Sequence, residues 1–240
     1  MQSAVAHNRR SNVSKAAWVR IAPFAVFKAF IGFEELLGSS LISELFPFDK
    51  DVLLYTYLFR IGVVAFLLLM WMRHYYEIRV IDLLQWRQTL FSIVLGYVIF
   101  WLWIHMDWDF AVMGTPQGFN PEVYREGIQK NAMLGARFFG AVIVVPVMEE
   151  LFWRSFLLRY VIDANFLKVA IGRFTWFSFL AITVLFGLEH HFVLAGIMAG
   201  ALFNLVVYKT GSIMQCILCH AVANLALGVY VLQSGRWIFW

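Results

Sequence analysis

Residues 135–162 read GARFFGAVIVVPVMEELFWRSFLLRYVI. As helix at 1.5 Å per residue this stretch outspans the roughly 30 Å hydrocarbon core of a bilayer, and it is apolar enough to lie there. Yet it holds Glu149, Glu150 and Arg154. Ionisable groups at membrane depth cost several kcal/mol unless they pair or line a wet cavity, so their presence calls for a functional site.

Working outward, the rest of the chain has the same character. Hydrophobic residues make up 62% of the 240 and charged residues 14%, against about half and about a quarter in soluble domains. The fold class expected is all-α: a polytopic transmembrane helix bundle of about seven spans. They are placed near Trp18 to Ser40, Val52 to Met72, Thr89 to Met106, Gly135 to Ile162, Phe174 to His191, Phe192 to Tyr208 and Ser212 to Leu232. A barrel is excluded because the apolar runs lack period-2 alternation. The fifth and sixth spans are short and nearly continuous, joined by a tight turn after His191 or forming one bent hairpin. Residues 1–131 form an N-terminal transmembrane region of about three spans with an outer loop, and residues 132–240 a core that carries the polar motifs.

Lys and Arg set the orientation. Arg9, Arg10, Lys15, Arg20, Arg73, Arg79, Arg87, Arg159, Lys168, Arg173 and Lys209 fall on one side, and only Lys50, Arg125, Lys130 and Arg236 on the other. This asymmetry predicts a cytoplasmic N-terminus. The net charge of +4 is thus topological, and no nucleic-acid partner is expected, since the basic residues are split among short loops. The first span is expected to be retained, for it lacks a small-residue cleavage pattern before Glu34. Cys216 and Cys219 read as buried small residues, because a redox pair wants an electropositive, accessible setting.

Successive helix positions are 100° apart, so Glu149 and Glu150 cannot share a face, whereas Glu150 and Arg154 are i and i+4 and do. Glu150 and Arg154 therefore suit an intrahelical ion pair, which leaves Glu149 to point into the bundle. The alternative is that both acids are structural ties to neighbouring helices. Phe186-x-x-x-His190 ends the fifth span, where Glu189, His190 and His191 in a row signal the helix end. His220-x-x-x-Asn224 places two hydrogen-bonding groups on one face of the seventh. Such a pair suits a developing oxyanion, or else serves as interhelical glue contributing about 0.6 to 2 kcal/mol per bond. Along the helix axes Glu149 and His190 come out about 20 Å and about 24 Å from the same side, and His220 near 12 Å, a turn or two too shallow. Gly196-x-x-x-Gly200 in the sixth span is read as packing behind the site. Glu34 or Glu35 can pair with Arg60, Lys28 has no evident partner, and the outer loop with Asp107, Trp108, Pro116 and Pro121 is long enough to cover a cavity.

The three motifs Glu149-Glu150-x-x-x-Arg154, Phe186-x-x-x-His190 and His220-x-x-x-Asn224, in this order on consecutive helices, resemble those of the CPBP family of intramembrane proteases, which includes the type II CAAX prenyl endopeptidases. The likeness covers roughly residues 132–230. The front third resembles, more weakly, bacterial CAAX-protease-related proteins of exosortase systems. The resemblance implies a glutamic-type peptidase with its site in a membrane cavity formed by spans 4, 5 and 7. Glu149 and His190 would activate a water, and His220 and Asn224 would form the oxyanion hole. Glu150, Arg154 and Phe186 would support them, with His191 as a substitute for His190. It implies no cofactor and no metal, a membrane-embedded or lipid-linked peptide or protein as substrate, an exosortase-system partner, and a bacterial inner (cytoplasmic) membrane location. Three rival readings stand beside it. They are a zinc peptidase using Glu149, His190 and His220 as ligands, a non-catalytic immunity or scaffold protein, and a proton-relaying transporter.

Overall fold

The structure of the protein, a computed structural model, describes residues 2–37, 50–116, 118, 120, 121 and 127–240, and the backbone alone at 2–13, 50–54 and 129. Ser40, expected to close the first span, and Arg125, expected on the opposite side, lie outside the described residues. So do the side chains of Arg9, Arg10 and Lys50.

The chain is a polytopic helical bundle. Its helices are α1 (Gln2–Leu37), α2 (Lys50–Met70), α3 (Trp86–Trp103), α4 (from Ile128 to Tyr160), α5 (Trp176–Leu188), α6 (Val193–Thr210) and α7 (Ile213–Ser234). Among the described residues Ser14–Leu37, Lys130–Tyr160, α6 and α7 are long and apolar enough to cross a bilayer, and Tyr55–Met70 and α5 are shorter apolar helices. No strand forms among the described residues; a single antiparallel bridge joins Val112 to Phe192. The fifth and sixth spans are two separate helices that break at Glu189–Phe192.

Local sequence explains where helices start and stop. The Thr175 hydroxyl accepts from the Ser178 N–H at the start of α5, and the Ser212 hydroxyl accepts from the Gln215 N–H at the start of α7. Each satisfies an otherwise orphaned first-turn donor. Gly211 and Gly235, at φ +63° and +68°, close α6 and α7 in the left-handed conformation that glycine adopts without a Cβ penalty.

Helix α4 is not uniform. It is α-helical over Ile128–Phe139, Val145–Glu150 and Leu158–Tyr160, and π-helical over Gly140–Val144 and Leu151–Leu157. Pro146 lies just after the first widened turn. A proline ring crowds the carbonyl four residues earlier and supplies no N–H, and widening the turn relieves that clash.

Small residues let the helices of the second half approach closely. A Cβ on Gly96 of α3 would sit 2.4 Å from the Cys219 carbonyl of α7, and one on Gly196 of α6 would sit 2.9 Å from Gly187 Cα of α5. The packing expected of Gly196 and Gly200 is thus present, with Gly187 as the partner. The main apolar core gathers Trp153, Ile182, Phe186, Phe203, Val206, Ile213 and Ile217, and a second unites α1, α2 and α4 through Val19, Ile61, Val64, Met148 and Leu151.

Arg20, Arg60, Glu77 and Asp82, buried outside the polar motifs, are each in an ion pair. Arg60 meets Glu34 at 2.7 Å, as depth suggested. Arg20, counted from sequence among the basic residues of the cytoplasmic side, is fully buried: its Nε and Nη2 donate to the two Glu77 carboxylate oxygens at 2.8 Å, and its Nε also reaches the Ser155 hydroxyl. That hydroxyl in turn donates to Glu77 and accepts from Arg159 Nη2. Lys28, for which sequence gave no partner, lies 2.5 Å from Glu189 at the end of α5. A long flexible amine can reach a helix end that sequence distance hides.

Candidate active site

Three helices bring the motif residues together. Glu149 of α4, His190 after α5, and His220 and Asn224 of α7 line one cavity of about 290 Å³. Its walls are mostly apolar: Ile99, Phe100 and Trp103 of α3, Ala199 and Phe203 of α6, and Phe239 and Trp240 after α7. Spans 3 and 6 and the C-terminal turn therefore share a cavity that sequence assigned to spans 4, 5 and 7. Along α4 the lining residues are Arg137, Ala141, Val145 and Glu149. A spacing of four would drift around a uniform α-helix, and the π-turn at Gly140–Val144 holds it on one face.

The two glutamates have different surroundings. Glu150 is fully buried and saturated. Its Oε1 accepts from Arg154 Nη1 at 3.1 Å and bonds His220 Nδ1 at 2.9 Å, while its Oε2 accepts from the Cys216 thiol at 3.0 Å. Glu149 is also buried, but its Oε2 has no hydrogen-bond partner among the described residues. Buried polar atoms are paired in the great majority of cases, so an unpartnered carboxylate oxygen on a residue that lines a cavity is an exception in need of a role.

The histidines are fixed by their Nδ1 atoms. His190 Nδ1 lies 2.8 Å from the Phe186 carbonyl, one turn back on its own helix, and its ring meets Trp103 edge-on at 5.3 Å. A carbonyl only accepts, so Nδ1 carries the hydrogen and Nε2 is left as a lone pair. His220 stacks on Phe203 at 4.5 Å, and its Nδ1 faces the Glu150 carboxylate, which again places the hydrogen on Nδ1. The depth mismatch expected for His220 does not arise. The first turn of α7 is buried beneath the 3-10 turn Val80–Leu84, where Ser212 donates to Asp82 Oδ2 and Gln215 to the Asp82 carbonyl. Counting from Ser212 thus starts inside the bundle.

Asn224 Nδ2 donates to the Ala141 carbonyl at 2.8 Å. In the widened turn Val145 N–H bonds the Gly140 carbonyl, five residues back. The donor due to Ala141 in that pattern is the N–H of residue 146, which is proline and has none. The Asn224 amide fills the vacancy and keeps a second N–H for the cavity.

His191 takes another role than the one it was held open for. It is absent from the cavity wall, and its Nδ1 bonds the Met113 carbonyl at 2.8 Å while its own carbonyl accepts from Met113 N–H. The outer loop therefore straps the turn that carries His190. Among the described residues Trp108, Pro116 and Pro121 do not line the cavity, whereas Phe239 and Trp240 do.

Arg154 anchors the far side of Glu150. Its Nε donates to Asn204 Oδ1 at 3.2 Å, its Nη2 to the Gly200 carbonyl at 3.3 Å, and its guanidinium lies 4.3 Å from the Phe186 ring centre. Phe186 is thus the face on which Arg154 rests as well as a cavity wall. Sequence reasoning missed Asn204, whose signal was a lone amide in an otherwise apolar helix, and missed Glu189 as the partner of Lys28. Among the described residues no three His, Cys, Asp or Glu side chains are grouped to hold a metal ion.

Residues 131–226 match the family model described as Rce1-like, type II CAAX prenyl endopeptidase Rce1-like. This segment carries all three motifs and is similar to that family of membrane proteases, and the apolar helices are those of an integral membrane protein. No curated protein and no solved structure gives a match.

Proposed function

We propose that the protein is a glutamic-type intramembrane endopeptidase acting on a membrane-embedded or lipid-linked peptide, with its N-terminus in the cytoplasm and its home in a bacterial inner membrane. The observation that carries the chemistry is that Glu149, whose Oε2 has no partner among the described residues, lines one cavity with His190, His220 and Asn224. Glu149 Oε2 and His190 Nε2 are two acceptors, and a water between them donates one hydrogen to each and turns a lone pair toward the substrate carbonyl. As the water oxygen bonds the carbonyl carbon, its proton passes to Glu149. The oxyanion takes the free N–H of Asn224 and the Nε2–H of His220. With Nδ1 committed to Glu150, His220 donates from Nε2 only as an imidazolium. Glu149 then returns the proton to the leaving nitrogen as the C–N bond breaks.

The test is cleavage of a membrane-presented peptide library by purified protein in nanodiscs, with Glu149→Gln and a chelator arm. Gln keeps the size of the side chain and loses the base, so the rate should fall by roughly 10² to 10⁴ with the fold intact, and chelation should change nothing. Retained cleavage by Glu149→Gln would sink the proposal, and loss to chelator alone would establish the zinc reading.

A further inference from the structure

Behind the cavity a run of buried polar side chains crosses four helices. Thr183 of α5 accepts through Oγ1 from Asn204 Nδ2 at 3.2 Å; Asn204 Oδ1 of α6 accepts from Arg154 Nε at 3.2 Å; Arg154 of α4 reaches Glu150 at 3.1 Å; and Glu150 bonds His220 of α7 at 2.9 Å. Asn204, Arg154 and Glu150 are fully buried, and Thr183 and His220 nearly so. Only the last member of the run touches the cavity.

The run has one consistent direction. A planar guanidinium holds a carboxylate in a fixed plane only if the rest of its fork is also held. Here Nε is held by Asn204 and Nη2 by the Gly200 carbonyl, while Phe186 and Phe203 flank the guanidinium at 4.3 and 5.2 Å. Asn204 in turn is oriented by Thr183, because an amide that donates from Nδ2 to a hydroxyl presents Oδ1 to the other side. Turned over, it would set an NH₂ group against a guanidinium that only donates. The plane of Glu150, and with it the hydrogen bond made by His220 Nδ1, follows from that choice.

We infer that Asn204, set by Thr183, is a positioning residue for His220: through Arg154 and Glu150 it fixes the hydrogen bond made by His220 Nδ1 and, with it, where Nε2 points in the cavity. The inference rests on the peptidase reading for its meaning, though the geometry it asserts is measurable without any cleavage.

The experiment uses the full-length protein in nanodiscs with ¹⁵N-labelled histidine. The chain has six histidines, and His220 is assigned as the signal lost in His220→Gln. In the native protein its Nδ1 should appear protonated and hydrogen-bonded. Asn204→Leu should shift or broaden that signal while leaving those of His74 and His105 in place. Thr183→Val, a near-isosteric change, should move it the same way by less, and Thr183→Ser should restore it. Where cleavage is measured, Asn204→Leu should lower kcat by roughly 10-fold to 100-fold with KM little changed, as expected when a group is misplaced by about 1 Å. A native His220 signal in folded Asn204→Leu overturns the inference. If that variant fails to fold, an unmoved signal in Thr183→Val does so. Absence of cleavage by the native protein would count against the peptidase reading alone, since the His220 signal still decides this one.

Discussion

Glu149 and Glu150 are adjacent in the chain and equally deep in the bundle, yet the two faces of α4 treat them in opposite ways. On one face Glu150 meets a guanidinium, an imidazole and a thiol, and both its oxygens are occupied. On the other, Glu149 keeps an unpartnered, buried oxygen and lines a cavity whose walls are largely aromatic and aliphatic. A buried charge that is fully paired holds structure together, whereas one left open weakens it and is kept for chemistry. The same residue type, one position apart, thus supplies a scaffold and a reagent.

Removing each carboxylate in turn separates the two roles. Glu149→Gln should abolish nearly all cleavage and leave thermal stability in detergent unchanged or raised, because it removes an uncompensated buried charge. A marked drop in melting temperature would mean that Glu149 is a structural tie after all. Glu150→Gln should do the reverse first: breaking a buried pair by removing one partner costs roughly 3–5 kcal/mol, read as a large loss of stability before any assay. An unchanged denaturation midpoint would show that Arg154 finds its support elsewhere.

A third site sharpens the contrast away from the cavity. Burial pushes the Glu77 carboxyl up, but the paired Arg20 guanidinium and the Ser155 hydroxyl outweigh it, so the group sits below its ordinary value of 4.5. Its stabilisation is therefore complete above pH 4.5 and is lost as pH falls through the lowered folded value. Melting curves taken down to acid pH should show this decline, and Glu77→Gln should flatten it; an identical acid limb in the variant would remove Glu77 from the account. The smallest effect is expected at Lys28, whose side chain is 35% exposed beside Glu189. Lys28→Met should change stability by roughly 1 kcal/mol, less than the loss of a fully buried pair, because the Lys28 amine is part-exposed although Glu189 is buried. A larger loss, measured in the same denaturation series, would make α1 a true clamp on the turn that carries His190.

What could be read from the sequence was whatever depends on helix period and length. The spans follow from apolar runs, and Glu150 with Arg154 from a spacing of four. The i, i+4 rule also put His220 and Asn224 on one face, and both do line the cavity. Partners far apart in the chain could not be read this way. Arg20 and Glu77 each resemble an ordinary loop-edge charge until tertiary packing buries them against Ser155. Asn204 looks like a tolerated polar residue in a small-residue helix, and nothing local says that it faces Arg154. The π-turns were hidden because they arise from a compromise between Pro146 and the neighbouring helices rather than from a distinctive local pattern.

Pro146 also inverts a common expectation about helices. Replacing a proline inside a helix by alanine normally restores a hydrogen bond and steadies the fold. Here the bond restored would run to the Ala141 carbonyl, which the Asn224 side chain now occupies. A repaired backbone would evict that amide and leave it to swing in the cavity. The defect in α4 is therefore a socket, and the side chain plugged into it is held steady by a hydrogen that the helix never had.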